Sequence, residues 1–456
     1  MTTAALDLTA VTQRMLNGPV LPTLMRLATP NVLGLAANTV VIGFDGYIVG
    51  RLGADALAGV AIVLPLAMLM LQMSAGGLGG STTAVVARAL GAGDAPQATR
   101  LAQHALLLGL LASLLFTLLA SSPVLYAALG ARGGVLEHAG SYAAVLFAGA
   151  VAVWSVNVLA GVARGIGNMG AAALALIATT AMHLMLCPAL VFGAGPVPPL
   201  GVAGAAASTV TCNALSALGL LAWLSRPGRP IRILGPRWQL QRDVFRQILQ
   251  LALPSALSPI LSNGSIALAT AFVGSFGSLA VAAYGIAARL EYILVPIAFG
   301  VGGALTTMVA TNLGARQAVR AKRVTWTGAG LVWAVTGLIG VAAALWPQAW
   351  MALFSGDAAV QAAGSTYLRI VGGSYGFFGL GLALFFASQG AGRLAWPLLA
   401  STARLLVVGV GGWIALKVAG GPPESLYAVV AASLLVMGVT LAAATQLSDW
   451  GKVKQA

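Results

Sequence analysis

The feature that most constrains this chain is a run of about 20 apolar residues that recurs twelve times, broken each time by Gly, Pro or charge. The runs read as helices at 27–49, 57–80, 97–120, 139–162, 170–192, 202–224, 246–270, 280–307, 324–346, 363–387, 395–417 and 425–447. Each is long enough to cross a bilayer, where a helix satisfies its own backbone polar groups. Composition points the same way: 59% of residues are hydrophobic and 7% charged, against roughly a quarter charged in a soluble domain. A soluble interior is too small to hide that much apolar surface. Strand-like alternation is missing, which argues against a β-barrel. The expected fold class is an all-α polytopic membrane protein with twelve transmembrane helices.

Lys and Arg orient the bundle. With the N-terminus inside, eighteen of the 24 basic residues fall in inward segments, as the positive-inside rule requires. Both termini are then cytoplasmic. The net charge of +14 is thereby a topology signal and a contact with anionic lipid, not a nucleic-acid surface. Residues 1–26 contain Asp7 and Arg14 and no apolar core, so they do not read as a cleaved signal. Cys187 and Cys212 lie in apolar segments and read as packing thiols rather than a disulfide.

The longest inward loop is Arg-rich and Pro-broken, and it divides the spans six and six. We expect an N-terminal lobe at 1–224, a basic linker at 225–245 and a C-terminal lobe at 246–456. The halves echo each other. Leu27-Ala28-Thr29-Pro30 returns as Leu251-Ala252-Leu253-Pro254, and Gly50-Arg51-Leu52-Gly53 as Gly274-Ser275-Phe276-Gly277, both at an offset of 224. Leu90-Gly91-Ala92 matches Leu313-Gly314-Ala315 at 223, and Gly165-Ile166-Gly167 matches Gly390-Ala391-Gly392 at 225. Six spans per repeat bring both halves in from the same side, so the repeats are parallel and related by an axis along the membrane normal. The cleft between such halves is where a transporter places its substrate.

Only Asp45 and Glu291 among the ten acidic residues sit clearly within spans. A charge in hydrocarbon is costly and marks function by default. Asn31, Asn38 and Asp45 recur every seven residues and form a polar stripe on the first helix, beside Tyr47. Asp45 is suited to taking up a proton or to holding a monovalent cation with neutral oxygens. Thr179, His183 and Cys187 share one face of the fifth helix; His183 is either a titrating group in a cavity or a hydrogen-bonded structural residue. Thr209 and Asn213 give the sixth helix a polar face. Glu291 is either paired with an Arg or a second coupling group. One His and one Cys on a face make a poor metal site without further ligands, so no metal is assigned. No Walker A pattern and no hydrolytic constellation occurs, which leaves an ion gradient as the energy source and no cofactor.

Several motifs together resemble the multidrug and toxic compound extrusion (MATE) family. They are Leu27-Ala28-Thr29-Pro30, Phe44-Asp45-Gly46-Tyr47-Ile48-Val49-Gly50, Leu90-Gly91-Ala92-Gly93-Asp94, Arg164-Gly165-Ile166-Gly167-Asn168 and Val202-Ala203-Gly204-Ala205-Ala206. The resemblance covers about residues 20–447. It implies a V-shaped pair of lobes around a central cavity, with cationic or amphipathic compounds leaving in exchange for H+ or Na+. The family's first-helix Asp matches Asp45. Many relatives carry an Asn-x3-Asp pair before a Pro on the fifth helix; here that place reads His183-Leu184-Met185-Leu186-Cys187-Pro188. Both Na+ ligands have changed, which favours H+ coupling through Asp45, with His183 as a second titrating group. Thr209 matches the sixth-helix hydroxyl. A seventh-helix Glu of another branch is missing at Leu261-Ser262-Asn263-Gly264. Cavity-lining residues expected on this basis are Asn31, Asn38, Tyr47, Cys187, Thr209, Asn213 and Glu291. The expected location is the bacterial inner membrane, and two lobes make a monomer sufficient. A lipid-linked oligosaccharide flippase of the same superfamily is the competing reading, and an integral membrane enzyme a more distant one.

Overall fold

The computed structural model describes residues 10–196, 198–234, 239–418 and 420–450; the side chains of Asn38, Thr39, Ile42, Tyr292 and Val418 also lie outside the description. Of the residues weighed above, Asp7 and the Asn38 side chain are therefore outside it.

Among the described residues, eleven helices are long and apolar enough to cross a membrane, and twelve when a pair bent by 45° counts as one. In chain order they are α1 (Val20–Gly50), α2 (Ala54–Gly91), α3 (Ala95–Ala120), α4 (the bent pair Gly133–Ala148 and Ala150–Gly165), α5 (Met169–Phe192) and α6 (Val202–Leu224). The second half follows with α7 (Arg242–Gly274), α8 (Ser278–Gly314), α9 (Ala318–Leu345), α10 (Ala358–Ala391), α11 (Ala395–Lys417) and α12 (Pro423–Leu447). Short helices at Ala10–Asn17, Pro123–Ala128 and Pro347–Met351 escaped the apolar-run reading because none is long or apolar enough to register.

Several helices outrun their apolar segments, because a helix continues past the hydrocarbon wherever capping and packing sustain it. In α2 the glycines of Met73–Gly79 do not end the helix; they form a π-helical turn within it. Polar loop residues mark true helix starts. Asp94 accepts from Gln97 N at 2.8 Å, Asn168 from Ala171 N at 2.9 Å and Asp357 from Ala359 N at 2.8 Å, each filling an N-cap. That capping role accounts for Asp94 and Asp357 without any transport chemistry.

Four glycines of the repeated motifs have one geometric cause. Gly53 and Gly277 hold φ of +114° and +97° in the α1–α2 and α7–α8 turns, and Gly167 and Gly392 hold +81° and +74° after α4 and α10. Side chains with a Cβ rarely adopt such backbone. After α2 and α8 the residue type changes: where the first half has Gly93 at φ +78°, the second has Arg316 at +61°. Arg316→Gly is expected to raise stability by about 1 kcal/mol, seen as a higher Tm in detergent; an unchanged or lower Tm would contradict it.

Each lobe has its own core. Leu101, Tyr126, Phe147 and Leu159 lie in the first, and Met308, Tyr367, Tyr375 and Leu384 in the second. The second core also includes Met15, Leu24, Leu27 and Ala28. Asn312 Nδ2 and the Arg320 guanidinium donate to the Met15 carbonyl at 3.2 and 3.3 Å. The N-terminal residues are thus strapped to the C-terminal lobe, a connection that the division at 224 did not anticipate.

The lobes join at the end that carries the basic loops. Arg88 Nη2 donates to Gly390 O at 2.8 Å, Thr307 Oγ1 to Arg164 O at 3.1 Å and Gln389 Nε2 to Gly76 O at 2.9 Å. At the crossing of α2 and α8 the contact is reciprocal. A Cβ on Gly91 would lie 2.1 Å from Thr311 O, and one on Gly314 would lie 2.1 Å from Arg88 O. Each glycine meets the carbonyl three residues before its counterpart, so the pseudo-twofold axis passes between them. At the opposite end, a Cβ added at Gly43, Gly46, Gly50, Gly274 or Gly277 meets open space. The result is a V of two lobes.

Candidate cation site

Asp45 lies near the open end of α1, and α5 packs along both α1 and α6. His183 and Cys187 stand one turn apart on α5 and both face α1. His183 Nε2 lies 2.7 Å from Asp45 Oδ1, and the Cys187 thiol points at the same oxygen from 3.8 Å. His183 Nδ1 is 3.0 Å from Ser208 Oγ on α6. The imidazole and thiol are buried, whereas the Asp45 side chain keeps 24% exposure. Tyr142 of α4 is buried beside the carboxylate. Three helices of one lobe therefore set a buried imidazole against a partly exposed carboxylate.

A carboxylate alone in a membrane is costly; an imidazole at hydrogen-bond distance supplies a charge-assisted bond and a second place for a proton. Ser208 suits both states of the ring. Its hydroxyl donates to Nδ1 when the ring is neutral and accepts from it when the ring is charged. With the proton gone, the pair has a net charge of −1 and attracts a cation; with the proton present, the pair is neutral. Ser208→Ala removes one such bond, worth about 0.5–1.5 kcal/mol, and is expected to slow transport roughly two- to tenfold. Wild-type rates in that variant would show that the ring needs no orienting partner.

The other sequence candidates spread out. Asn31 is 3% exposed and donates to Gly300 O at 3.0 Å across the lobe interface. It is a tie between lobes and not cavity wall, because an amide buried away from water needs a partner. Thr209 and Asn213 bond back to their own helix, at Ala205 O (3.2 Å) and Thr209 O (2.8 Å). The face of α6 turned to the site is the neighbouring one, Ser208 and Cys212. That pair has the same four-residue spacing, but Ser and Cys pass as packing residues in a sequence. Thr179 bonds Ser216 at 2.6 Å and fastens α5 to α6. Tyr47 is exposed. Glu291 belongs to a separate group in the second lobe with Tyr284, Tyr367 and Tyr375, where Arg404 of α11 supplies the opposite charge. Its sequence neighbour Arg289 instead lies over the Phe354 ring at 5.5 Å.

Two parallel six-helix lobes meeting in a V, with an ionisable pair in the open part of one, define a secondary transporter. The MatE family model matches residues 30–189 and again 254–414. The two matches begin 224 residues apart, the spacing of the motif repeats. The chain belongs to the MATE family, whose members are transporters and not enzymes and include multidrug efflux proteins. Similar proteins include a "FAD transporter" of Shewanella oneidensis, 28% identical and covering 82% of each chain. A "Probable multidrug resistance protein NorM" of Deinococcus radiodurans is 28% identical over 92% of this chain and 93% of its own. Among solved structures, an "outward-facing conformation of a multidrug resistance MATE family transporter" superposes with a TM-score of 0.88 at 23% identity, covering 97% of this chain and 98% of that one.

Proposed function

We propose that this protein exports cationic or amphipathic compounds in exchange for inward H+, with Asp45 and His183 as the coupling pair. The carrying observation is the 2.7 Å Asp45–His183 contact in the open part of the N-terminal lobe. Antiport requires that proton and substrate exclude one another, and a site that changes between net −1 and neutral provides this by charge. The positive-inside rule supports reading the closed end, which carries the basic loops, as cytoplasmic; on that reading the V opens outward and protons enter from outside. In the inward-open state the neutralised pair faces the cytoplasm, gives up its proton and becomes attractive to a cation. His183 and Cys187, in place of amide and carboxylate oxygens, remove the hard ligands that Na+ prefers.

Ethidium efflux under separately imposed pH and Na+ gradients tests this. Efflux driven by the pH gradient alone supports the reading. Strict Na+ dependence refutes H+ coupling. Movement of FAD, the anionic cargo in the Shewanella relative's name, without ethidium would refute the cationic substrate class. Absence of both, with folded protein in the membrane, would favour the flippase reading.

A further inference from the structure

We propose that Asp45, His183 and Cys187 form a binding site for a thiophilic divalent cation of the Zn2+ class. On sequence alone His183 and Cys187 made a poor metal site without further ligands; the tertiary structure brings a third from another helix. Asp45 Oδ1, His183 Nε2 and Cys187 Sγ all lie within 4.8 Å of one another. Tetrahedral Zn2+, with bonds of about 2.0–2.3 Å, holds its ligand atoms ~3.3–3.8 Å apart. The Cys187–Asp45 separation of 3.8 Å already meets that spacing, and the 2.7 Å His183–Asp45 pair needs to open by roughly half an ångström.

The composition of the site argues for a metal. A carboxylate and an imidazole suffice to handle a proton, and the thiol adds nothing to that task. As a ligand set, one soft sulfur, one imidazole and one carboxylate select Zn2+-like ions over Na+, Mg2+ or Ca2+. The arrangement around it is that of a metal-binding His. Coordination through Nε2 puts the remaining ring proton on Nδ1, where Ser208 Oγ stands 3.0 Å away to accept it. On binding, the Cys187 thiol proton leaves to solvent and the thiolate bonds the cation. Three protein ligands, one of them the partly exposed Asp45 carboxylate, leave the fourth position of a tetrahedral site free. The inference shares residues with the proposed coupling pair but not its test, since binding is read without transport.

Purified protein is titrated with Co2+, and sulfur-to-cobalt absorption is recorded. The chain has two cysteines in all, Cys187 and Cys212, so the band reports a defined pair. One Co2+ per protein with a thiolate band is expected in wild type and in Cys212→Ser, displaced by Zn2+. Cys187→Ser is expected to lose the band, and His183→Asn to bind at least tenfold more weakly, both with a wild-type Tm. A missing band in wild type, or a band that survives Cys187→Ser, overturns the metal site. Either result leaves H+ coupling to be judged by efflux alone.

Discussion

Asp45→Asn is expected to reduce pH-gradient-driven ethidium efflux to the level of membranes that lack the protein, while the variant inserts and melts like wild type. The amide is nearly the same size as the carboxylate and still offers an oxygen to His183 Nε2, 2.7 Å away in wild type. Packing around α1 and α5 is therefore preserved. What disappears is the negative charge. Without it the site is neutral when unprotonated and has no means of preferring a cation over a proton. Folding should not suffer, because taking a charge out of a membrane interior relieves about 2.5–3.5 kcal/mol of insertion cost. Transport measured against both a pH and a Na+ gradient, together with Tm, separates the possibilities. Substantial pH-driven efflux in Asp45→Asn would remove this residue from the coupling step and leave its pairing with His183 a structural one.

The second large effect is mechanical. Gly91→Val and Gly314→Val should each abolish transport and lower Tm, and to a similar extent. The added Cβ would stand 2.1 Å from Thr311 O or Arg88 O, more than an ångström inside van der Waals contact, and the obstacle is backbone. Overpacking of this kind costs about 1–3 kcal/mol or more. Here it falls on the point where the lobes touch, so α2 and α8 would separate and the closed end could not form. Gly43→Val is the matched control, because its Cβ meets open space. Equal behaviour of the two interface variants follows from their reciprocal contact across the pseudo-twofold axis. Wild-type transport in either would mean that the crossing loosens at no cost.

Much of this architecture was legible because the bilayer imposes a simple rule. A span needs about 20 apolar residues, and the chain advertises twelve such runs. The glycine pairs carried the repeat, since positive φ and close backbone approach leave few alternatives to Gly. Asp45 was legible for a related reason: a lone carboxylate within a span stands out against hydrocarbon. Helix ends were read less well, because capping by Asp94, Asn168 and Asp357 carries the helices beyond their apolar segments.

The partners of Asp45 were not legible as partners. His183 and Cys187 were visible as one face of α5, but a face has no indication of which helix it meets; 138 residues separate His183 from Asp45. Ser208 passed unnoticed beside the more polar Thr209 and Asn213, since one step of 100° around a helix decides which residue faces the site. Asn31 fell on the same stripe as Asp45 and yet serves the lobe interface, because the first half of α1, with Leu24, Leu27 and Ala28, packs on the C-terminal lobe. The sequence by itself determined the number of spans, the repeat and the two carboxylates that hydrocarbon makes costly, Asp45 and Glu291, all of which are local or periodic consequences of lipid as solvent. Only the tertiary structure decided which side chains meet Asp45, which end of the V is shut and that a thiol joins the pair, because these depend on helix rotation and packing between segments far apart in the chain.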